Sequence, residues 1–143
     1  MTIHGLPAHP LLVHAVVVLL PLAALALVLH ATWPAARLRL GLVTPLLALV
    51  VLVLVPVTMH AGDDLAQRFG VNPLIERHRQ LAHQLLPWTI ALFVATVAVW
   101  GWRRPPRWVR LLLVGAAVVV AVGTTVTLIR VGDAGARATW GGA

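Results

Sequence analysis

The side chains of this sequence best suited to chemistry are seven histidines, His4, His9, His14, His30, His60, His78 and His83, and four acids, Asp63, Asp64, Glu76 and Asp133. A neutral imidazole offers one nitrogen to a metal or a proton and one N–H to an orienting partner, and it titrates nearest neutrality. Such groups ligate, relay or sense. His9 and His14 bracket the stretch HPLLVH, at the start of a strongly apolar run. His78 and His83 stand five residues apart, about 140° around a helix, so one rigid helix cannot aim both at one point. Glu76, Gln80 and His83 share a face, Arg79 lies one turn before His83, and these are expected to orient that ring. His78 is expected to point toward the first or last span. The chain has no cysteine, which excludes thiolate ligands, disulfides and thiol catalysis. It has no serine and no nucleophile motif, and no HExxH spacing marks a particular metal.

The elements that must position these residues are apolar. Of 143 residues 60% are hydrophobic and 10% charged, with mean hydropathy +0.93, outside the range of a water-soluble domain. Four apolar runs span 11–29, 41–59, 85–102 and 109–129, and Arg110, at the start of the last, is the one Arg, Lys, Asp or Glu among them. At roughly 1.5 Å per residue each is long enough to cross a hydrocarbon layer of about 30 Å. The expected fold is all-α, an integral membrane four-helix bundle forming a single domain over 1–143. The ten residues before the first run carry no Lys or Arg, unlike the n-region of a secretory signal, so the first span is expected to stay.

All eleven basic residues are arginines at the ends of the apolar runs, where lipid headgroups and orientation account for them, and nucleic acid is excluded as a partner. Arg37 and Arg39 lie between the first two runs, and Arg103, Arg104, Arg107 and Arg110 at the junction of the last two, with no acid among them. Short basic connections belong in the cytoplasm, which puts both termini and the middle connection on the outer side. Asp63, Asp64, Glu76, Asp133 and every histidine except His30 then share the outer layer. Trp33, Trp88, Trp100, Trp102, Trp108 and Trp140 fall at span ends as interfacial anchors.

Pro10 suits the first turn of a helix, so the first helix is expected to start near it with His14 one turn inside. His14 is the histidine clearly inside an apolar run, and an unpaired polar group there costs several kcal/mol. It is expected to face the bundle interior with a partner, whereas interfacial solvation accounts for His4, His9, His30 and His60. Asp63 and Asp64 are expected to open a short helix through Phe69, closed by Gly70. Asn72 before Pro73 caps a helix that runs straight into the third span. In the last span Gly115, Val119 and Gly123 recur every fourth residue, as do Ala117 and Ala121, a pattern that lets helices approach closely.

HPLLVH, the small acidic turn AGDD, the segment NPLIERH and the tail GDAGARATW, in that order, resemble the bacterial domain-of-unknown-function family 2231. The resemblance covers nearly the whole chain. It implies a small multi-pass protein of the bacterial inner membrane, of a kind sometimes found near Rieske or haem proteins, with no established activity. It carries over His9, Pro10, His14, Asp63 or Asp64, His78 and the tail from Gly132 to Trp140, while His60 and His83 fit the pattern less well.

Three functions compete. The first reading is a structural or accessory membrane component, in which His14 and His78 form a satisfied polar network with an outer Asp and Arg, drawn from Glu76, Arg79, Arg130, Asp133 and Arg137. The second is a cofactor site beside a membrane redox protein. Its candidates are a transition metal on His9, His14, His60, His78, Asp63 or Asp64, or b-type haem on His14 with His78 or His83. Proton-linked transport is the third, and the lack of acids in the cytoplasmic half argues against a continuous relay.

Overall fold

A computed structural model describes residues 2–141. After a two-stranded hairpin, β1 (Thr2–Ile3) and β2 (Leu6–Pro7), five helices follow: α1 (Ala8–Thr32), α2 (Pro34–Leu40), α3 (Val43–Phe69), α4 (Pro73–Gly101) and α5 (Arg107–Trp140). Four of these, α1, α3, α4 and α5, are long and apolar enough to cross a membrane. The fold is all-α, as expected. In the hairpin Thr2 pairs with Pro7 and Ile3 with Leu6, and His4 and Gly5 both take positive φ, 50° and 82°, as a two-residue turn of this hand requires.

The helices pack in a ring, each of α1 and α4 lying between α3 and α5. Their buried positions follow a 3.5-residue period. In α1 Val16, Leu20, Ala23, Leu27 and His30 keep this spacing, with the small Ala8, Ala24 and Ala26 buried beside them; in α4, Leu85, Thr89, Leu92, Thr96 and Val99 do. Alternating steps of four and three residues keep one narrow stripe of each helix on the bundle axis. Small and threonine side chains fill much of that stripe, which allows close approach in lipid, where van der Waals packing drives association. Several buried threonines satisfy themselves within their own helix: Thr89 and Thr96 donate to the carbonyls of Leu85 and Leu92 at 2.9 and 2.7 Å, and Thr58 to Leu54 at 2.7 Å, whereas the Thr124 hydroxyl is buried without a hydrogen-bond partner.

The two stripes are copies in register. Val16 answers to Leu85, Leu20 to Thr89, and so on to His30 and Val99, each pair at the offset that separates His9 from His78 and His14 from His83. The partner helices match in the same way, Thr44, Val51, Val55 and Ala61 of α3 corresponding to Ala117, Thr124, Leu128 and Ala134 of α5 at a constant offset. The bundle is thus two similar helical hairpins, α1–α3 and α4–α5, running in the same direction.

Helix boundaries follow some expectations and correct others. α1 starts at Ala8, near Pro10 as expected, and Pro10 sits in its first turn. Asp63 and Asp64 do not open a helix of their own, because α3 continues unbroken through Gly62 to Phe69. Gly70, at φ 75°, ends it as expected. The Asn72 side chain accepts from the Leu74 N–H at 2.9 Å, and α4 passes from Pro73 into the third apolar run. The residues of GDAGARATW are helical, extending α5 to Trp140. The basic connection after α1 folds into α2, whose Arg37 donates through Nη2 to the Val99 carbonyl near the end of α4, at 2.6 Å.

Candidate functional site

At the end of the bundle that carries the termini, all four long helices border an open cavity of about 710 Å³. Valines, leucines and alanines make up much of its wall, and the polar exceptions are His9 and His14 from α1, Thr58 and Asp63 from α3, His78, Arg79 and His83 from α4, and Thr139 from α5. Four of the seven histidines therefore meet in one space. They come as two equivalent pairs, one at the head of each hairpin.

His9 and His78 are held in the same way. The His9 ring lies on Gly62 of α3, so close that a Cβ there would come within 2.8 Å of it, and its Nδ1 is 3.0 Å from the Thr58 carbonyl. The His78 ring lies on Gly135 of α5, where a Cβ would come within 3.1 Å, and its Nδ1 is 3.0 Å from the Val131 carbonyl. In each half the carbonyl belongs to the residue one helical turn before the glycine. A carbonyl only accepts, so Nδ1 carries the hydrogen in both rings and the neutral ring keeps its lone pair on Nε2. The two rings stand in a T-shaped arrangement with centroids 6.2 Å apart. His78 lies on the polar extension of α4, ahead of the apolar run that begins at Leu85. Burial lowers its pKa, the Val131 hydrogen bond pulls the other way, and the neighbouring His9 adds to the lowering. The ring is thus biased toward its neutral form.

His14 reverses its expected role. Its side chain is exposed on the cavity, and its Nδ1 bonds the Pro10 carbonyl of its own helix at 2.6 Å. The cross-helix partner that a buried imidazole requires belongs instead to His9, expected to be merely solvated. His83 also lines the cavity and is exposed. His60 is exposed and off the cavity. His30, expected at the interface, is buried at the opposite end of the bundle with its Nδ1 3.1 Å from the Thr44 hydroxyl.

Among the polar candidates, Arg79 joins α4 to α3 through Asp63, Nε to Oδ1 at 2.7 Å, and reaches Glu76 at 3.3 Å. Gln80 also donates to Glu76, so Glu76, Arg79 and Gln80 contact one another, where they were expected to orient His83. Asp133 and Arg137 pair with each other at 3.0 Å on the exposed surface of α5, and Arg130 is exposed; none of the three lines the cavity. Asp64 also lies off it. Among the described residues no group of three or more histidines and acids is close enough to hold a metal ion.

Trp88 and Gly123 show a different use of a small residue. The six-membered ring of Trp88 packs directly on Gly123, so this tryptophan fills a notch between α4 and α5 as well as standing near a span end. Gly115, in the same stripe, meets nothing within 4 Å.

The roles of Gly62, Gly135, Thr58 and Val131 were missed from the sequence. The signal that could have found them is the recurrence of His, four residues, His at the head of α1 and of α4, which marks a duplicated hairpin and hence equivalent surroundings. The model of the domain-of-unknown-function family 2231, described as predicted membrane protein, matches residues 5–143. No curated protein and no solved structure matches the chain.

Proposed function

The chain belongs to that family of membrane proteins, and from this premise we propose that it is an accessory component of the bacterial inner membrane that holds an amphipathic ligand at its histidine end. The observation that carries this reading is the cavity itself: about 710 Å³, apolar along much of its wall, with four histidines and the Asp63–Arg79 pair on its polar side. Pockets of several hundred cubic ångströms with a few convergent polar groups are typical of small-molecule and cofactor sites. A largely apolar molecule with a polar edge matches both parts of the surface. Such an occupant suits service to membrane redox chemistry beside a larger partner. The basic connections containing Arg37, Arg39, Arg103, Arg104, Arg107 and Arg110 support placing the histidine end outward.

The test is native mass spectrometry of the protein extracted into lipid nanodiscs. The expected result is a stoichiometric adduct that is lost in Ala82→Trp, which fills the cavity. A ligand-free protein from cells grown with haem precursor and trace metals would overturn the reading. Whole-cell labelling of a cysteine introduced at His60 checks orientation, and labelling from the cytoplasmic side alone would reverse it.

A further inference from the structure

We infer that His9 and His78 form a bis-imidazole site for b-type haem, one axial ligand from each half of the duplicated bundle. This inference rests on the cavity reading above and names its ligand. Three observations converge on it.

The first is the orientation of the donors. Each ring is fixed by an Nδ1–H bond to a backbone carbonyl and seated on a glycine of the neighbouring helix, which leaves Nε2 as the ligating atom. Neither contact is needed for solvation at a helix end. The hydrogen bond is the orienting contact that ligating histidines characteristically make, the glycine seat fixes the ring against its neighbour helix, and both occur twice.

The second is the number and spacing of the donors. A mononuclear zinc or copper site calls for three or four protein ligands, and no group of three is assembled among the described residues. Haem takes its four equatorial nitrogens from the porphyrin and needs at most two from the protein. Two imidazoles bonded to one ion at about 2.0–2.1 Å, on opposite sides, have ring centroids roughly 6 Å apart. The observed separation is 6.2 Å.

The third is the surroundings. Val13, Val55, Leu65, Leu85 and Leu128 supply apolar contacts for a macrocycle, and Arg79 offers the cavity a guanidinium for a carboxylate edge. The duplication explains why both ligands exist: a group on the axis between two similar halves meets the same side chain from each.

The experiment supplies hemin to the purified full-length protein in nanodiscs and records optical and electron paramagnetic resonance spectra. The wild type is expected to bind one hemin per chain and to show the low-spin ferric signature of two imidazole ligands. His9→Ala and His78→Ala are each expected to weaken binding by at least about ten-fold and to convert residual complex to high spin. His4→Asn, on the hairpin turn, should leave both unchanged. Circular dichroism confirms that each variant is folded. His78→Met addresses loss of fold separately, since it keeps an axial donor and should shift the spectrum without emptying the site. A high-spin wild-type complex, absence of hemin binding, or a low-spin spectrum that survives both alanine variants would overturn the assignment. If hemin fails while native mass spectrometry finds another adduct sensitive to Ala82→Trp, the haem assignment falls and the cavity reading stands; if neither ligand is found, both fall.

Discussion

The imidazole of His9, on the first helix, lies 6.2 Å from that of His78, on the fourth, in a T-shaped pair across the bundle. Each ring is positioned by a glycine on the helix beside it, and the two clearances differ. A Cβ at Gly62 would come within 2.8 Å of His9 and one at Gly135 within 3.1 Å of His78.

Gly62→Ala must therefore displace its histidine, whereas Gly135→Ala asks only for a few tenths of an ångström. Overpacking of a filled contact costs about 1–3 kcal/mol, and Gly62→Ala is expected in that range, with Gly135→Ala below it. Thermal unfolding in detergent measures both. Equal melting temperatures for the two variants would contradict the reading.

The glycines of α5 should separate as sharply. Gly123→Ala collides with the Trp88 ring and is expected to destabilise by about 1–3 kcal/mol. Gly115→Ala meets open space and should be neutral, or stabilising by up to about 1 kcal/mol through helix propensity. Combining Gly123→Ala with Trp88→Leu checks the mechanism, because the clash then has no partner and the two costs should not add.

His30 and Thr44 form a buried hydrogen bond at the end remote from the cavity. Thr44→Val preserves shape and removes the hydroxyl, leaving a buried ring nitrogen without that partner, at a cost of about 1–3 kcal/mol. Denaturant titration reads the loss. Hemin binding should be unaffected, since neither residue borders the cavity.

The Arg79–Asp63 pair is a weaker tie. Its side chains remain 42% and 30% exposed, so solvent screens it. Asp63→Asn is expected to cost no more than about 1 kcal/mol, and the difference from wild type should shrink as salt is raised. A large loss independent of salt would mean that Asp63 holds something other than Arg79.

Much of the scaffold was legible because its signals are local. Runs of apolar residues almost free of charge mark the spans, and Asn72–Pro73 and Gly70 mark a helix start and stop whose chemistry involves a few adjacent residues. The site was legible only in part. Clustering of His9, His14, His78 and His83 at one end follows from counting helices, but which ring turns inward depends on a glycine in another helix. His14 lies deeper in the apolar run, so it looked more costly to bury; the Pro10 carbonyl one turn away met its need without crossing to a neighbour. His9 lay at the helix boundary, yet Gly62 made room for it. The continuity of α3 through Asp63 was hidden for a similar reason, since a charged pair after a glycine reads as a helix start when the contact with Arg79 is unknown.

The duplicated hairpin bears on how the chain enters a membrane. A two-span unit returns its end to the side where it began, so a second copy inserts in the same sense as the first and needs no reversal of topology. Each copy has its own arginine-bearing connection, α2 in one and the segment around Arg103 and Arg107 in the other. Charge that anchors a connection on one face acts locally, within the residues next to a span. Either hairpin thus holds, in its own connection, the local charge that such anchoring uses.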